Sequence, residues 1–169
     1  EETCPTPVYV ATARIFDGDD EFVSRVDRHK ADRGDAWTTV EEQKAVSTHA
    51  DAFRGKAVVV DCLTLWLTNF FLDAGNDGEA AARAAAEEFD RFVGQWDASF
   101  VLVTNEIGSG VHAETAMGRA FVDAQGWLNQ HVGRRADRVV AMVAGQPLQV
   151  KPPPPHGPAP PLPSADSAG

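Results

Sequence analysis

The chain has 169 residues, with 15 basic and 25 acidic side chains and a formal net charge of −10. That length suits one domain of about 100–200 residues with a real core. A composition of 43% hydrophobic and 24% charged residues excludes a wholly disordered chain, and no apolar run reaches the roughly 18 residues of a membrane span. The acidic balance argues against a broad nucleic-acid surface, which needs clustered Lys and Arg, but leaves room for a small anionic ligand on a local basic patch. Cys4 and Cys62 are too far apart in sequence for a close-spaced pair and suggest neither a disulfide framework nor a zinc site. The start, Glu1-Glu2-Thr3-Cys4-Pro5, has no initiator Met and no signal-peptide pattern, and reads as a cut or incompletely recorded N-terminus.

In chain order, four short apolar runs read as strands: Val8-Tyr9-Val10, Ala57 to Val60, Phe100 to Val103 and Val139 to Val143. Their β-branched, continuous character fits strands covered on both faces of a parallel sheet. Between them lie helical patterns. Phe22 and Val26 mark the apolar side of residues 21–33, with Arg25, His29 and Arg33 four apart beside it. Phe89, Phe92, Val93 and Trp96 form a later stripe, and Met117, Phe121, Leu128 and Val132 another. Alternating strands and helices predict a doubly wound α/β domain over residues 1–151, with a mostly parallel sheet and helices on both faces. Residues 152–169 hold eight of the eleven prolines and read as a disordered tail, or else as a ligand for a proline-recognition groove.

The residues just after each strand carry the most information, because open parallel sheets bind ligands outside the carboxyl ends of their strands. Val10 leads to Ala11-Thr12-Ala13, Val60 to Asp61-Cys62, Val103 to Thr104-Asn105-Glu106 and Val143 to Ala144-Gly145. These are either a pocket rim or ordinary helix caps. Asp61 is either a carboxylate that organises Mg²⁺ or a ligand hydroxyl, or an N-cap. Glu41, after Trp37-Thr38-Thr39-Val40, is on its own a surface carboxylate. His29, flanked by Arg25, Lys30 and Arg33, needs buried acidic partners or an anionic ligand; imidazole is also a competent nucleophile towards phosphorus. Asn105 to Gly110 is a glycine loop without Lys, Gly55-Lys56 precedes its strand, and no Gly-x-x-x-x-Gly-Lys-Ser/Thr loop occurs in these residues. The other histidines, His49, His112, His131 and His156, show no metal-ligand spacing, and no serine sits in a nucleophile elbow. No metal-binding residues are predicted.

Tyr9-Val10-Ala11-Thr12-Ala13, Arg25-Val26-x-x-His29-Lys30-x-x-Arg33, Trp37-x-Thr39-x-Glu41 and Val60-Asp61-Cys62-Leu63-Thr64-Leu65-Trp66-Leu67-Thr68-Asn69 occur in one order. Val103-Thr104-Asn105-Glu106-Ile107-Gly108-x-Gly110, Arg119-x-Phe121-x-Asp123, Gly126-x-Leu128-Asn129-Gln130, Ala136-Asp137-x-Val139 and Gly145-x-Pro147-Leu148 come next. This series, spanning about residues 8–151, resembles the bifunctional adenosylcobinamide kinase / adenosylcobinamide-phosphate guanylyltransferase family of cobalamin biosynthesis.

The resemblance implies a P-loop NTPase (RecA-like) fold, here missing its first strand and P-loop, and a cytoplasmic homo-oligomer. It implies phosphorylation of adenosylcobinamide from ATP or GTP with Mg²⁺. It further implies GMP transfer from GTP to the resulting phosphate through a guanylylated histidine. His29 matches the nucleophile. Ala11, Thr12, Ala13, Lys30, Ala31, Asp32, Arg33, Glu41 and Asp61 match nucleotide-contacting positions. Without the P-loop, phosphoryl transfer is expected to be crippled. Val111 to Ala116 also depart from the family's Ile-Val-Pro-Glu-Asn-Arg, which bears on corrinoid-side contacts. The alternative is a non-catalytic nucleotide- or corrinoid-binding module or adaptor.

Overall fold

The computed structural model describes residues 6–16, 18–95 and 99–152. Trp96 and the proline-rich stretch from Pro153 onward lie outside them. The chain divides into two compact units, residues 1–131 and 132–169.

The first unit is built on a four-stranded parallel sheet. Strand β1 (Val8–Ala11) leads through helix α1 (Asp20–Arg33) to β2 (Thr38–Glu41). A 3-10 turn (Val46–His49) and the short α2 (Ala50–Phe53) precede β3 (Ala57–Asp61). Helices α3 (Leu63–Asp73) and α4 (Gly78–Gly94) then lead to β4 (Ser99–Val103), and α5 (Ala116–Arg135) comes after it. The strand order is β2-β1-β3-β4.

Period-two alternation divides the sheet into unequal faces. Val8, Val10, Val58 and Val60 are at most 1% exposed. They share a face with Phe100, which pairs in register with Val58 and meets Phe92 of α4 at 6.3 Å between ring centroids. Trp66, Leu63 and Leu67 of α3 and Ala81, Ala85, Phe89 and Phe92 of α4 complete this core. Trp66 stands edge-on to both Phe70 and Phe92, and its indole N–H donates to the Lys44 carbonyl at 3.1 Å. That bond satisfies the one polar atom its burial would otherwise strand. The opposite face carries Tyr9, Ala11, Thr39, Glu41, Val59, Asp61, Val101 and Val103. Arg33, at the C-terminal end of α1, and Trp37 both meet Tyr9 on this face.

Two sequence expectations need correction. Strand β2 is not among the predicted strands: it is a four-residue edge with one aliphatic residue, too short and polar to register as an apolar run. Val139–Val143 is a strand, β5, but it stands outside the parallel sheet. In the second unit it pairs antiparallel with β6 (Gln146–Lys151). The reason lies in the connection. Ala144 and Gly145 adopt φ of 51° and 75°, the left-handed pair of a two-residue hairpin turn. Ala144-Gly145 is therefore a turn and not a pocket rim.

The predicted stripe of α4 is observed at Phe89 and Phe92, with Val93 half-buried. On α5, Leu128 and Val132 are buried, whereas Met117 in the first turn is 55% exposed. Among the described residues no helix is long and apolar enough to cross a membrane.

Candidate functional site

The register of the sheet sets the site. Ala11 pairs with Glu41 on one side and with Asp61 on the other, so three predicted positions from three strands stand level at one carboxyl edge. Thr12 continues that edge, fully buried. Its backbone N–H donates to the Asp61 carbonyl at 3.3 Å and its hydroxyl to the Cys62 carbonyl at 2.8 Å. Asn69 of α3, 2% exposed, donates through Nδ2 to the carbonyls of Thr12 and Gln43, both at 2.8 Å. The loops after β1 and β2 are thereby pinned to one buried amide.

Tyr9 lies on the open face of the sheet. Its hydroxyl donates to Oδ2 of Asp61, its ring meets Trp37 edge-on at 6.2 Å, and the Arg33 guanidinium sits 3.8 Å from its centroid. Burial first, then the bond to Asp61 and its charge, push the phenol well above its ordinary range; Arg33 opposes this. The hydroxyl therefore stays protonated and holds the carboxylate as a donor. The peptide joining Asp61 to Cys62 is cis. The N-cap of α3 is Cys62, without a side-chain cap bond, so Asp61 does not act as an N-cap. Burial raises the Cys62 thiol, which keeps it an inert core group.

Helix α1 departs from expectation, because none of its residues is buried. Asp19 caps its N-terminus by accepting from the Phe22 N–H at 3.0 Å. Arg25 pairs with exposed Glu21 at 2.9 Å, so it needs neither a buried acid nor a ligand. Only the C-terminal turns engage the sheet, through Arg33 on Tyr9 and a 2.6 Å ion pair from Lys30 to Glu41. Helical spacing cannot distinguish a helix docked along its length from one docked at one end. His29, Ala31 and Asp32 are exposed, with His29 preceding the residue that ties α1 to the strand ends.

The structure thus brings Ala11, Thr12, Glu41, Asp61, Lys30 and Arg33 to one edge, with Ala13 next in the chain and His29 beside Lys30. The remaining histidines with described partners serve structure: His49 meets Glu42 at 3.2 Å and His131 meets Asp90 at 3.0 Å. Two contributors are not singled out by sequence reasoning. Tyr9, the only tyrosine in the chain, interrupts a valine strand. Asn69 is a lone amide in an apolar helix, and such a residue signals a buried hydrogen-bonding task.

Comparison with known proteins now bears on these residues. Residues 1–150 match the family model described as cobinamide kinase / cobinamide phosphate guanyltransferase. The chain belongs to this family. A bifunctional adenosylcobalamin biosynthesis protein, CobP, of Pseudomonas aeruginosa is 37% identical over 145 residues, covering 85% of this chain and 81% of the relative. The CobU proteins of Salmonella typhimurium and Escherichia coli, which carry the same description, are 34% and 31% identical. Those alignments cover 87% and 85% of this chain and the same shares of the relatives. The parallel α/β sheet flanked by helices agrees with the fold class expected for a cobinamide kinase / guanyltransferase.

Mg²⁺, expected with the nucleotide, finds no prepared cage among the described residues. No three His, Cys, Asp or Glu side chains gather there, and the Asp61 carboxylate is already bound by Tyr9.

Proposed function

We propose that the chain transfers GMP from GTP to adenosylcobinamide phosphate through a covalent adduct on His29, and acts in a cytoplasmic cobalamin pathway as part of a homo-oligomer. The same reading includes prior phosphorylation of adenosylcobinamide by ATP or GTP. The observation that supports it is the alignment of Ala11, Glu41 and Asp61 at one sheet edge, with Lys30 of α1 bonded to Glu41 immediately beside His29.

In the first half-reaction an unprotonated His29 ring nitrogen attacks the α-phosphorus of GTP. The N–P bond forms as the bond to the bridging oxygen breaks, and pyrophosphate leaves with that electron pair. In the second, a phosphate oxygen of adenosylcobinamide phosphate attacks the same phosphorus and the N–P bond breaks. The products are adenosylcobinamide-GDP and a regenerated imidazole. Lys30 and Arg33 supply positive charge where the phosphoryl oxygens gain negative charge. The Ala11-Thr12-Ala13 turn, anchored by buried Thr12, and Ala31-Asp32 stand at the nucleotide. Asp61, held by Tyr9, and Glu41 offer acceptors to its hydroxyl and N–H groups.

Intact-mass measurement after incubation with Mg·GTP tests the reading. The expected result is a gain of one GMP that disappears in His29→Ala. An adduct of the same mass in His29→Ala refutes the nucleophile. GTP binding with no adduct at all favours the non-catalytic binding module.

A further inference from the structure

Helix α5 has an inner and an outer side. Ala124, Gln125 and Leu128 face inward and are at most 1% exposed. Arg119, Asp123, Trp127 and Gln130 recur at three- and four-residue intervals on the other side and are exposed. That outer side and the glycine loop from Ile107 to Ala113 enclose a cleft of about 390 Å³ within the first unit.

Its walls combine open apolar surface with unspent donors. Trp127 is 48% exposed and Val111 is 98% exposed, so an indole plane and an aliphatic group stand in water at the cleft. Among the described residues neither the indole N–H of Trp127 nor the side-chain amide of Gln130 has a hydrogen-bond partner. The charged groups are occupied or balanced. Arg119 donates through Nη1 to the carbonyls of Ala113 and Glu114 at 2.9 and 2.8 Å, and Asp123 adds the opposite charge. The occupant selected by such walls is uncharged, has flat apolar faces, and offers carbonyl acceptors rather than N–H donors.

The chain itself carries a segment of that chemistry. Residues 152–163 hold eight prolines and no Asp, Glu, Lys or Arg. Proline has no N–H to leave unpaired, and proline-rich segments dock on aromatic-lined grooves in an extended helix that costs little ordering entropy. The root of the segment is fixed beside α5. Lys151, which precedes it, donates through Nζ to the carbonyls of Gly133, Arg134 and Ala136 at 3.1, 3.1 and 2.6 Å. Trp127 stands six residues before Gly133 on the same helix, a rise of about 9 Å. Twelve residues in the extended proline helix span about 37 Å. That length suffices to return along α5, and so short a tether gives an effective concentration of roughly millimolar.

We propose that residues 152–163 dock on this cleft of their own chain, with proline rings on the Trp127 indole and prolyl carbonyls accepting from Trp127 and Gln130. The cleft is then covered by the C-terminal segment, and any ligand that enters it must displace that segment first. The contact is uncharged on the segment's side, so salt does not weaken it.

The test is ¹⁵N NMR of the full chain, read at the indole N–H of Trp127 and assigned through Trp127→Phe. A tail variant with Pro158→Ser, Pro160→Ser, Pro161→Ser and Pro163→Ser removes proline faces while keeping length and charge. In that variant the Trp127 signal is expected to move. The Trp66 indole, buried and bonded to the Lys44 carbonyl, should stay in place. A synthetic peptide of residues 152–163, titrated by calorimetry, should bind the tail variant at least about tenfold more tightly than it binds the parent, whose cleft is already covered. Adding Trp127→Ala to the tail variant should weaken the peptide at least about tenfold, and Trp127→Phe by no more than about threefold. A Trp127 signal identical in parent and tail variant, equal peptide affinity for the two, or affinity untouched by Trp127→Ala overturns the proposal. A parental signal that moves towards that of the tail variant on dilution places the segment on a second copy and overturns docking within one chain.

Discussion

Replacing Asn69 probes how the candidate site is held together. Its single amide nitrogen supports the Thr12 and Gln43 carbonyls from 2.8 Å each. In Asn69→Ala both acceptors lose their donor. The buried Thr12 carbonyl costs the larger share, about 1–3 kcal/mol for an unpaired group, and the Gln43 carbonyl, nearer water, about 0.5–1.5 kcal/mol. The sum is about 3 kcal/mol, a large fraction of the ~5–15 kcal/mol that holds a domain together. With a urea slope of about 1–3 kcal/mol per molar, the unfolding midpoint should fall by roughly 1–3 M.

Asn69→Asp is expected to be worse at neutral pH, because a carboxylate would then face two carbonyl oxygens. Protonation restores one donor, so the folded state raises the pKa of this introduced acid. Stability in this variant is therefore recovered at low pH and lost as pH rises through the folded-state value. GTP affinity should drop in both variants as Thr12 loses its anchor. A loss below about 0.5 kcal/mol in Asn69→Ala, or an Asp variant more stable than Ala at neutrality, refutes the reasoning.

Three further outcomes are expected. Gly78→Ala should lower the melting temperature although Ala favours helix by up to ~1 kcal/mol, because its Cβ would stand 2.5 Å from the Ala120 backbone oxygen, an overpacking cost of about 1–3 kcal/mol. Burial acts to raise the Glu42 pKa, but bonds from the Lys44 and Ala45 amides and His49 outweigh it and hold the carboxyl below its ordinary value. Its stabilisation is therefore present above that ordinary value and lost as pH falls through the folded one. Glu42→Gln should cost about 1 kcal/mol in neutral urea melts and little in acid. Glu41→Gln should weaken GTP binding while leaving inorganic pyrophosphate binding, measured by calorimetry, unchanged or stronger; equal losses for both would refute a base- or ribose-side role for Glu41.

The sheet was legible because β1, β3 and β4 are valine-rich runs, and runs of that kind have few stable placements other than a covered parallel sheet. Short polar β2 emitted no such signal. The apolar run of β5 was visible, but its partner was decided by the two residues after it. The strand-end residues Ala11, Thr12, Glu41 and Asp61 were legible as positions because each closes a strand or comes directly after one. Their common level was not, since register is fixed by pairing that local pattern does not encode. Helix α1 was legible as a helix and misread as a docked one, because an amphipathic period reports which side is apolar and not how much of it meets a neighbour. Tyr9 and Asn69 lay in plain view within the motifs. Their tasks emerged only once Asp61 and Thr12 stood beside them.

A chain of net charge −10 must overcome its own field to bind a triphosphate as proposed. The local arrangement around α1 shows how. Lys30 is held by Glu41 at 2.6 Å, with side-chain exposures of 41% and 63%. A pair so open to water is worth only about 0–1 kcal/mol. An arriving phosphate can therefore take Lys30 at little cost, and the carboxylate it leaves is free to accept from guanine or ribose. Arg33 is different. Its guanidinium lies against the Tyr9 ring, and its Nε is buried with no hydrogen-bond partner among the described residues. One cation can thus be handed to the ligand while the other stays fixed. On the proposed reading both stand within a few residues of the nucleophile His29, so the distant acidic surface is screened and the near field decides.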